Sequence, residues 1–308
     1  MTETETETDK HAQPLPARHS LPLDSTAELL TRITAQLGSQ LSHVRLNGSR
    51  KPMPPTDLPD AARPTLVAVA HGSRDPRALR TVGALLDLVR ELRPGLDVRL
   101  GHIEIDEPAL PDTLAALGAG RAVLVPLLLS RGFHVKQDVP AAVAAAPRLR
   151  ARTAQPLGPH PLLIEALYER LVEAGWQDEP RARRTGGVVL AGAGSRDPES
   201  AADTRRTAEM LSERLGGVPV IPAYASAAAP TVPDALRALA ARGRHRTAIA
   251  SYFTAPGRFA TQCAGYARGV VAAPLGAHPA VARLVLNRYE QALAAAPFGE
   301  LRRELATA

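Results

Sequence analysis

The chain contains the same passage twice, and this repetition sets the fold that it can adopt. LVAVAHGSRDP at residues 66–76 returns as VVLAGAGSRDP at 188–198, and PALPDTLAALG at 108–118 returns as PTVPDALRALA at 230–240. QPLGPHP at 155–161 and APLGAHP at 273–279 close the two copies. Three blocks in the same order indicate an internal duplication, and so long a period favours two fused domains over a solenoid.

Within each copy, short apolar strands alternate with helical segments. TLVAVAH is the first strand, Pro76 opens a helix that runs to about Leu92, and DVRLGHIEI and AVLVPLLLS are the next two strands. This alternation requires right-handed crossovers between parallel strands. We therefore predict an α/β fold with two similar doubly wound parallel-sheet domains, at 65–176 and 186–300, joined by a linker at 177–185. Ligands of such folds bind at the carboxyl ends of the strands, here in the cleft between the copies.

Residues 1–64 differ from the rest of the chain. The TETETET run and the Pro-rich KPMPPTDLPDAARP predict a mostly disordered extension and linker, with one short helix starting near Ser25. The start is acidic and polar, unlike a secretory signal, and no apolar run has the roughly 20 residues of a membrane helix. We expect a cytoplasmic protein without a membrane partner.

Composition excludes several classes of site. The single cysteine, Cys263, rules out a disulfide framework, a Cys-rich zinc site and a cysteine-ligated iron–sulfur cluster. The net charge is +6, but no compact basic block is interleaved with aromatic residues, so nucleic acid is not expected as a partner. Either Arg-rich genome composition or a small polyanionic substrate explains this charge.

Two histidines occur at strand ends of the first copy alone. His71 ends the first strand, and Ala193 takes its place in the second copy. His134 follows the third strand, and Phe259 is its approximate counterpart. First and third strands can be neighbours in a doubly wound sheet, so both imidazoles can meet at one edge. A neutral imidazole binds metals and accepts protons near pH 7, which makes this pair the candidate catalytic and metal site.

Glu104, at the end of the second strand, is a third candidate, because its counterpart is Ser226. His102 is predicted to point to the same side of its strand as Glu104. Two histidines alone are too few for a structural zinc site, which needs four ligands. The deficit suits a metal that stays only briefly, with substrate and water as its other ligands.

Cations flank the two histidines. Arg74, Arg131 and Lys136 are candidates for binding substrate carboxylates, since Arg pairs in a bidentate manner and Lys supplies a point charge. Arg74 is repeated as Arg196, which weakens its claim to a specific role.

Other polar residues are assigned to the fold. Asp75 and Asp197 are predicted helix N-caps, as is Asp138 for the helix entered at VP. His160 and His278 occur in both copies and are predicted to be structural features of a strand–helix junction. GAGSRDP at 192–198 lacks the third glycine of a dinucleotide loop, and we reject that interpretation.

These motifs, AHGSRDP, IEIDEPALPD, GFHVKQDVP and PLGPHP, resemble those of the CbiX-type sirohydrochlorin chelatases, class II tetrapyrrole chelatases. The resemblance covers about 66–296. The two-copy layout is similar to the long form of the family, in which two halves are fused. It implies a chelatase-like fold in which His71 and His134 bind a divalent metal and accept pyrrole protons, beside a C-terminal half that acts as scaffold or lid. The 1–64 extension departs from the pattern.

The expected function is insertion of Fe²⁺ or Co²⁺ into sirohydrochlorin, for sirohaem or cobalamin synthesis. The metal is a substrate, and no organic cofactor is expected. We favour iron, because no His-rich tract marks a cobalt supply. A pseudo-twofold monomer is expected. The alternatives are a non-catalytic two-lobed metal or tetrapyrrole carrier, and a binder of phosphorylated metabolites at the two GSRDP turns.

Overall fold

The computed structural model describes residues 63–177, 179–295 and 298. The extension predicted for 1–64 and its helix near Ser25 lie almost wholly outside the described residues. The first half consists of β1 (Thr65–Ala70), α1 (Pro76–Leu92), β2 (Val98–His102), α2 (Leu110–Ala116), β3 (Arg121–Pro126), a π-helical turn (His134–Asp138), α3 (Val139–Ala144), β4 (Arg150–Thr153) and α4 (Pro161–Glu173).

The second half repeats this order. A short helix, α5 (Pro180–Thr185), occupies part of the predicted linker, where a proline favours the first helical turn. It is followed by β5 (Gly186–Gly192), α6 (Pro198–Arg214), β6 (Val220–Tyr224), α7 (Val232–Ala241), β7 (Arg246–Ser251), α8 (Arg258–Ala264), β8 (Val270–Val271) and α9 (Pro279–Ala294). None of the described helices is long and apolar enough to cross a membrane.

Each half contains a parallel four-stranded sheet, which confirms the predicted α/β class. The strand orders are β2-β1-β3-β4 and β6-β5-β7-β8, so the duplication extends to topology. The first strand of each half lies between the second and third. The carboxyl ends of β1, β2 and β3 therefore meet at one edge, where the candidate residues of the first copy are found.

Four predicted structural residues cap helices. Asp75 and Asp197 accept hydrogen bonds from backbone N–H groups two residues ahead, each at 2.9 Å. The Nδ1 atoms of His160 and His278 do the same for α4 and α9, at 3.2 and 3.1 Å. Each cap satisfies a donor that the first helical turn leaves unpaired. The structural interpretation of both repeated histidines is confirmed.

The two halves exchange their last helices. Helix α9 packs against α1 and β3 of the first half, whereas α4 packs against α6 and β7 of the second. One hydrophobic core therefore includes buried residues from both halves, and each half has a smaller core on its outer sheet face. Tyr289 on α9 also donates a hydrogen bond of 2.6 Å to the carbonyl of Pro64. This exchange fixes the halves relative to each other.

Candidate functional site

A cleft of about 1110 Å³ lies between the carboxyl ends of the two sheets. Residues from both halves line it, as predicted from the fold rules. The GSRDP turns contribute Ser73 from one side and Ser195 from the other. This volume is slightly above the range of roughly 300–1,000 Å³ that is usual for small-molecule sites, so the cleft can take a large ligand.

His71 and His134 come together in this cleft. His71 directly follows β1, and His134 begins the π-helical turn after the neighbouring strand β3. Their ring centroids are 4.6 Å apart, with the ring planes at 75°. Metal–imidazole bonds are about 2.0–2.1 Å long, so two rings at this separation are close enough for both to reach one ion at the cleft surface. Their counterparts Ala193 and Phe259 also line the cleft but offer no nitrogen.

Asp138 orients His134, which corrects its predicted role as a helix cap. Its backbone is already helical, and its side chain makes no capping hydrogen bond. The chain enters α3 through a continuous helical turn, so the carboxylate points back over that turn. Its Oδ2 lies 2.6 Å from Nδ1 of His134. A carboxylate at Nδ1 selects the tautomer in which Nε2 carries the lone pair.

Glu104 reaches the cleft because the backbone at Gly72 passes close to it. Gly72 has a φ of 98°, and a Cβ there would overlap the Glu104 carbonyl. The Glu104 N–H donates to the carbonyl of His71 at 3.0 Å. His102 also lines the cleft, but it is buried, with Nδ1 3.2 Å from the carbonyl of Pro108. The structure thus brings Glu104 and both candidate histidines to one edge.

The three predicted carboxylate-binding cations occupy different environments. Arg74 is exposed and lines the cleft, and it has no carboxylate partner in the described part of the chain. Arg131 and Lys136 do not line the cleft; they form ion pairs with acidic residues at the start of α6. Hydrogen bonds with Asp197 and Glu199 raise the pKa of Lys136. These two charges are therefore already neutralised by the second half.

Several cleft residues were missed in the sequence. Arg258, at the start of α8, lines the cleft, and its guanidinium lies 5.5 Å from the Phe259 ring centroid. Ile105 and Phe133 are apolar residues at the mouth, 58% and 64% exposed. Each directly follows or precedes a predicted site residue, Glu104 or His134. That adjacency was the only signal in the sequence, since single apolar or basic residues are common on surfaces.

No group of three or more His, Cys, Asp or Glu residues that could bind a metal occurs among the residues with described positions. The imidazole pair therefore has no third His, Cys, Asp or Glu beside it, in the described part of the chain, that would complete such a group. Such a site leaves most coordination positions of an ion to other ligands, unlike a closed structural site. The arrangement can bind a cation and pass it on.

Comparison with known proteins identifies the family. The CbiX family model matches the chain twice, over residues 65–174 and 187–292. These ranges follow the two halves of the structure and cover more than half of the chain.

Sequence relatives include two enzymes with different metals. The sirohydrochlorin ferrochelatase of Bacillus subtilis is 27% identical over 244 residues, which are 74% of this chain and 92% of the relative. The sirohydrochlorin cobaltochelatase of Priestia megaterium is 28% identical over 200 residues, which are 61% of this chain and 63% of the relative.

Solved structures show the same architecture. SirB from Bacillus subtilis, determined with Fe³⁺, is 25% identical, with a TM-score of 0.61 over 75% of this chain and 96% of its own. CbiX, described as the terminal enzyme of sirohaem biosynthesis in denitrifying bacteria, shares the fold, with 22% identity and a TM-score of 0.55. Because the family model matches both halves, the chain belongs to the CbiX family, in the long form that carries two copies of the fold.

Proposed function

We propose that the protein inserts a divalent metal into sirohydrochlorin. The observation that carries this proposal is the pair of imidazoles in edge-to-face contact, His71 and His134, inside a cleft shared by two CbiX copies. The names of the relatives, sirohydrochlorin ferrochelatase and cobaltochelatase, supply the substrate. The same pair has no counterpart in the second half, so we assign one active site to the molecule.

Insertion releases two pyrrole protons as the macrocycle nitrogens take up the ion. We assign Nε2 of His134 as metal ligand, because Nδ1 is directed to Asp138 at 2.6 Å. His71 supplies the second imidazole from the end of β1. Two neutral ligands add no negative charge that would retain the cation. Once the ion moves to the macrocycle, the freed imidazole nitrogens are available to accept the released protons.

Glu104 is assigned as a proton relay. It is exposed in the cleft, and its backbone is hydrogen-bonded to that of His71. A carboxylate at this edge can take protons from the imidazoles and release them to water. The counterpart Ser226 lacks this ability, in agreement with a single active half.

Substrate binding is assigned to cations without internal partners. Sirohydrochlorin carries eight carboxylates, and Arg74 and Arg258 face the cleft from opposite halves. Neither forms an ion pair within the described residues, whereas Arg131 and Lys136 do. We therefore assign carboxylate binding to Arg74 and Arg258. The exposed side chains of Ile105 and Phe133 offer apolar contact to the flat faces of a macrocycle.

We propose iron as the physiological metal, with cobalt as the alternative. Imidazole ligands suit both ions, and selection in cells depends largely on availability. No His-rich tract that would mark a cobalt supply occurs in the sequence, which favours iron. Competition between Fe²⁺ and Co²⁺ at equal free concentrations, read as the ratio of the two metallated products, tests this choice.

Anaerobic assay of the purified protein tests the function itself. Sirohydrochlorin and Fe²⁺ or Co²⁺ are mixed with enzyme at one hundredth of the substrate concentration, and metallation is followed by absorbance. We expect many turnovers per protein molecule, above the spontaneous rate. A carrier without turnover would give stoichiometric binding and no acceleration, and that result would contradict the proposal.

A further inference from the structure

The segment that carries His134 is attached to the second half along its length. We call residues 127–138 the His134 segment. Thr254 donates to the carbonyl of Leu127 at 2.9 Å, and Tyr252 donates to the carbonyl of Leu129 at 2.7 Å. The hydroxyls of Ser130 and Ser200 lie 2.8 Å apart. A loop of one half is thus held by side chains of the other.

Asp203 on α6 makes the most extensive of these contacts. Its carboxylate accepts the backbone N–H of Arg131 at 2.9 Å and the guanidinium at 2.6 and 3.0 Å. The Asp203 side chain is only 5% exposed. Glu199, one turn earlier on α6, accepts a further guanidinium bond at 2.9 Å. A buried carboxylate bound to both backbone and side chain fixes Arg131 in one position.

Lys136 anchors the other side of His134. Its ammonium lies 2.7 Å from Asp197 and 2.5 Å from Glu199. Arg131 and Lys136 bracket His134 in the sequence, three residues before it and two after. Both are therefore bound to the first turns of α6, and the imidazole lies between the two attachments.

Two of these three acidic residues, Glu199 and Asp203, have no acidic counterpart in the first half, whereas Asp197 is repeated as Asp75. At the 122-residue offset of the duplication, Thr81 corresponds to Asp203 and Arg77 to Glu199. The first half carries the histidine pair, and the second half carries Glu199 and Asp203, which hold the segment of one of these histidines. Each half thus carries residues that the other half lacks, and the two sets act on the same segment.

We propose that Asp203 is a positioning residue for metal insertion, acting from the second half by fixing the His134 segment through Arg131. The inference rests on the proposed function, because the position of His134 matters only if its imidazole handles the ion. A displacement of about 1 Å at a reacting group can cost about 100-fold in rate. We expect loss of an attachment three residues from the imidazole to permit a displacement of that size.

The experiment compares Asp203→Asn with Glu165→Gln, both in the full-length protein. Glu165 pairs with Arg214 and so joins α4 to the same helix α6, outside the cleft, at 3.1 Å. For Asp203→Asn, we expect hydrogen exchange in peptides spanning 128–138 to accelerate at least about tenfold. We expect kcat for metal insertion to fall by about tenfold or more, with KM for sirohydrochlorin within about twofold.

Glu165→Gln is expected to leave exchange and both kinetic constants at wild-type values. Arg131→Gln is the second variant, since it keeps Asp203 and the backbone hydrogen bond and removes only the guanidinium. Arg131→Gln should also lower kcat for metal insertion, as Asp203→Asn does. The double variant Arg131→Gln, Asp203→Asn should lose less than the product of the two single losses, because both act through one contact.

Wild-type exchange across 128–138 in Asp203→Asn, or an unchanged kcat, would overturn the proposal. A change in KM for sirohydrochlorin with an unchanged kcat would also overturn the proposal. If wild-type protein inserts no metal, the proposed function fails. The exchange comparison still decides in that case whether Asp203 holds the segment.

Discussion

The carboxylate of Asp138 lies 2.6 Å from Nδ1 of His134, one helical turn away on the π-helical turn that follows β3. This contact directs Nε2 into the cleft. Asp138→Ala should reduce kcat/KM for metal insertion by about 10- to 100-fold, the usual cost of losing such a partner. Steady-state initial rates under anaerobic conditions measure the change.

Asp138→Asn keeps an oxygen that can accept from Nδ1–H, so its loss should be smaller than that of the alanine variant. Asp87→Ala, on the exposed surface of α1, is the matched control and should retain wild-type rates. Equal rates for wild type and Asp138→Ala would show that this carboxylate does not orient the imidazole.

Arg74 and Arg258 should affect binding more than turnover. Replacing either with Gln should raise KM for sirohydrochlorin about two- to fivefold, the range expected for an exposed charge pair. The kcat should stay within about twofold, because the contact is equal in ground and transition states. The difference from wild type should shrink at high ionic strength. Arg237→Gln, on α7 outside the cleft, is the control.

A lower kcat with an unchanged KM in Arg74→Gln or Arg258→Gln would argue against carboxylate binding. It would place these cations in the proton-transfer or metal-transfer steps instead.

Glu104→Gln removes the proposed relay while preserving side-chain size. We expect kcat to fall by about 100-fold, within the range for general acid–base groups. The solvent deuterium isotope effect on kcat should also increase, as proton release becomes rate-limiting. Glu91→Gln, exposed on α1, should change neither quantity. An unchanged isotope effect and kcat in Glu104→Gln would remove Glu104 from the mechanism.

Stability should depend on pH through the capping histidine His278. Burial, followed by the charge of Arg170, holds its pKa below the ordinary value of 6.5, and Glu169 opposes this shift only in part. A base with a lowered pKa binds fewer protons when folded. The contribution of His278 to the free energy of unfolding is therefore complete above pH 6.5 and declines as pH falls below that value.

Urea unfolding at pH 8, 6 and 5 should show this decline, with a slope of at most about 1.4 kcal/mol per pH unit for each such histidine. Burial also lowers the pKa of His160, so this histidine contributes to the pH dependence in the same direction. His278→Asn keeps a capping acceptor that cannot titrate, so its slope should be shallower. A steeper slope in His278→Asn would contradict the assignment.

The sequence predicted the fold and the meeting of His71 with His134, because both depend on local patterns. Each of these patterns predicts the structure of its own segment: the apolar runs predict strands, Pro76 predicts a helix start, and the repeated blocks predict the duplication. The parallel order then follows from the crossover rule, and it places the ends of β1 and β3 side by side. The exchange of α4 and α9 was not predicted, since it depends on packing between segments far apart in sequence.

The carboxylate partners of Arg131 and His134 were harder to predict from the sequence. Asp203 lies 72 residues from Arg131 and has no special signature on a helix that also carries many surface charges. Asp138 precedes a Val-Pro pair, which is typical of a helix start. Its four-residue spacing from His134 was the signal for the alternative, because residues at that spacing share a helix face.

The most direct test of the central claim is the initial rate of anaerobic metal insertion by the double variant His71→Ala, His134→Ala. We expect kcat/KM to fall at least about 100-fold, and each single variant to lose nearly as much, because the imidazoles act as a unit. His245→Ala should keep the wild-type rate. A double variant that inserts Fe²⁺ or Co²⁺ into sirohydrochlorin at the wild-type rate would contradict the assignment of one active site to this histidine pair.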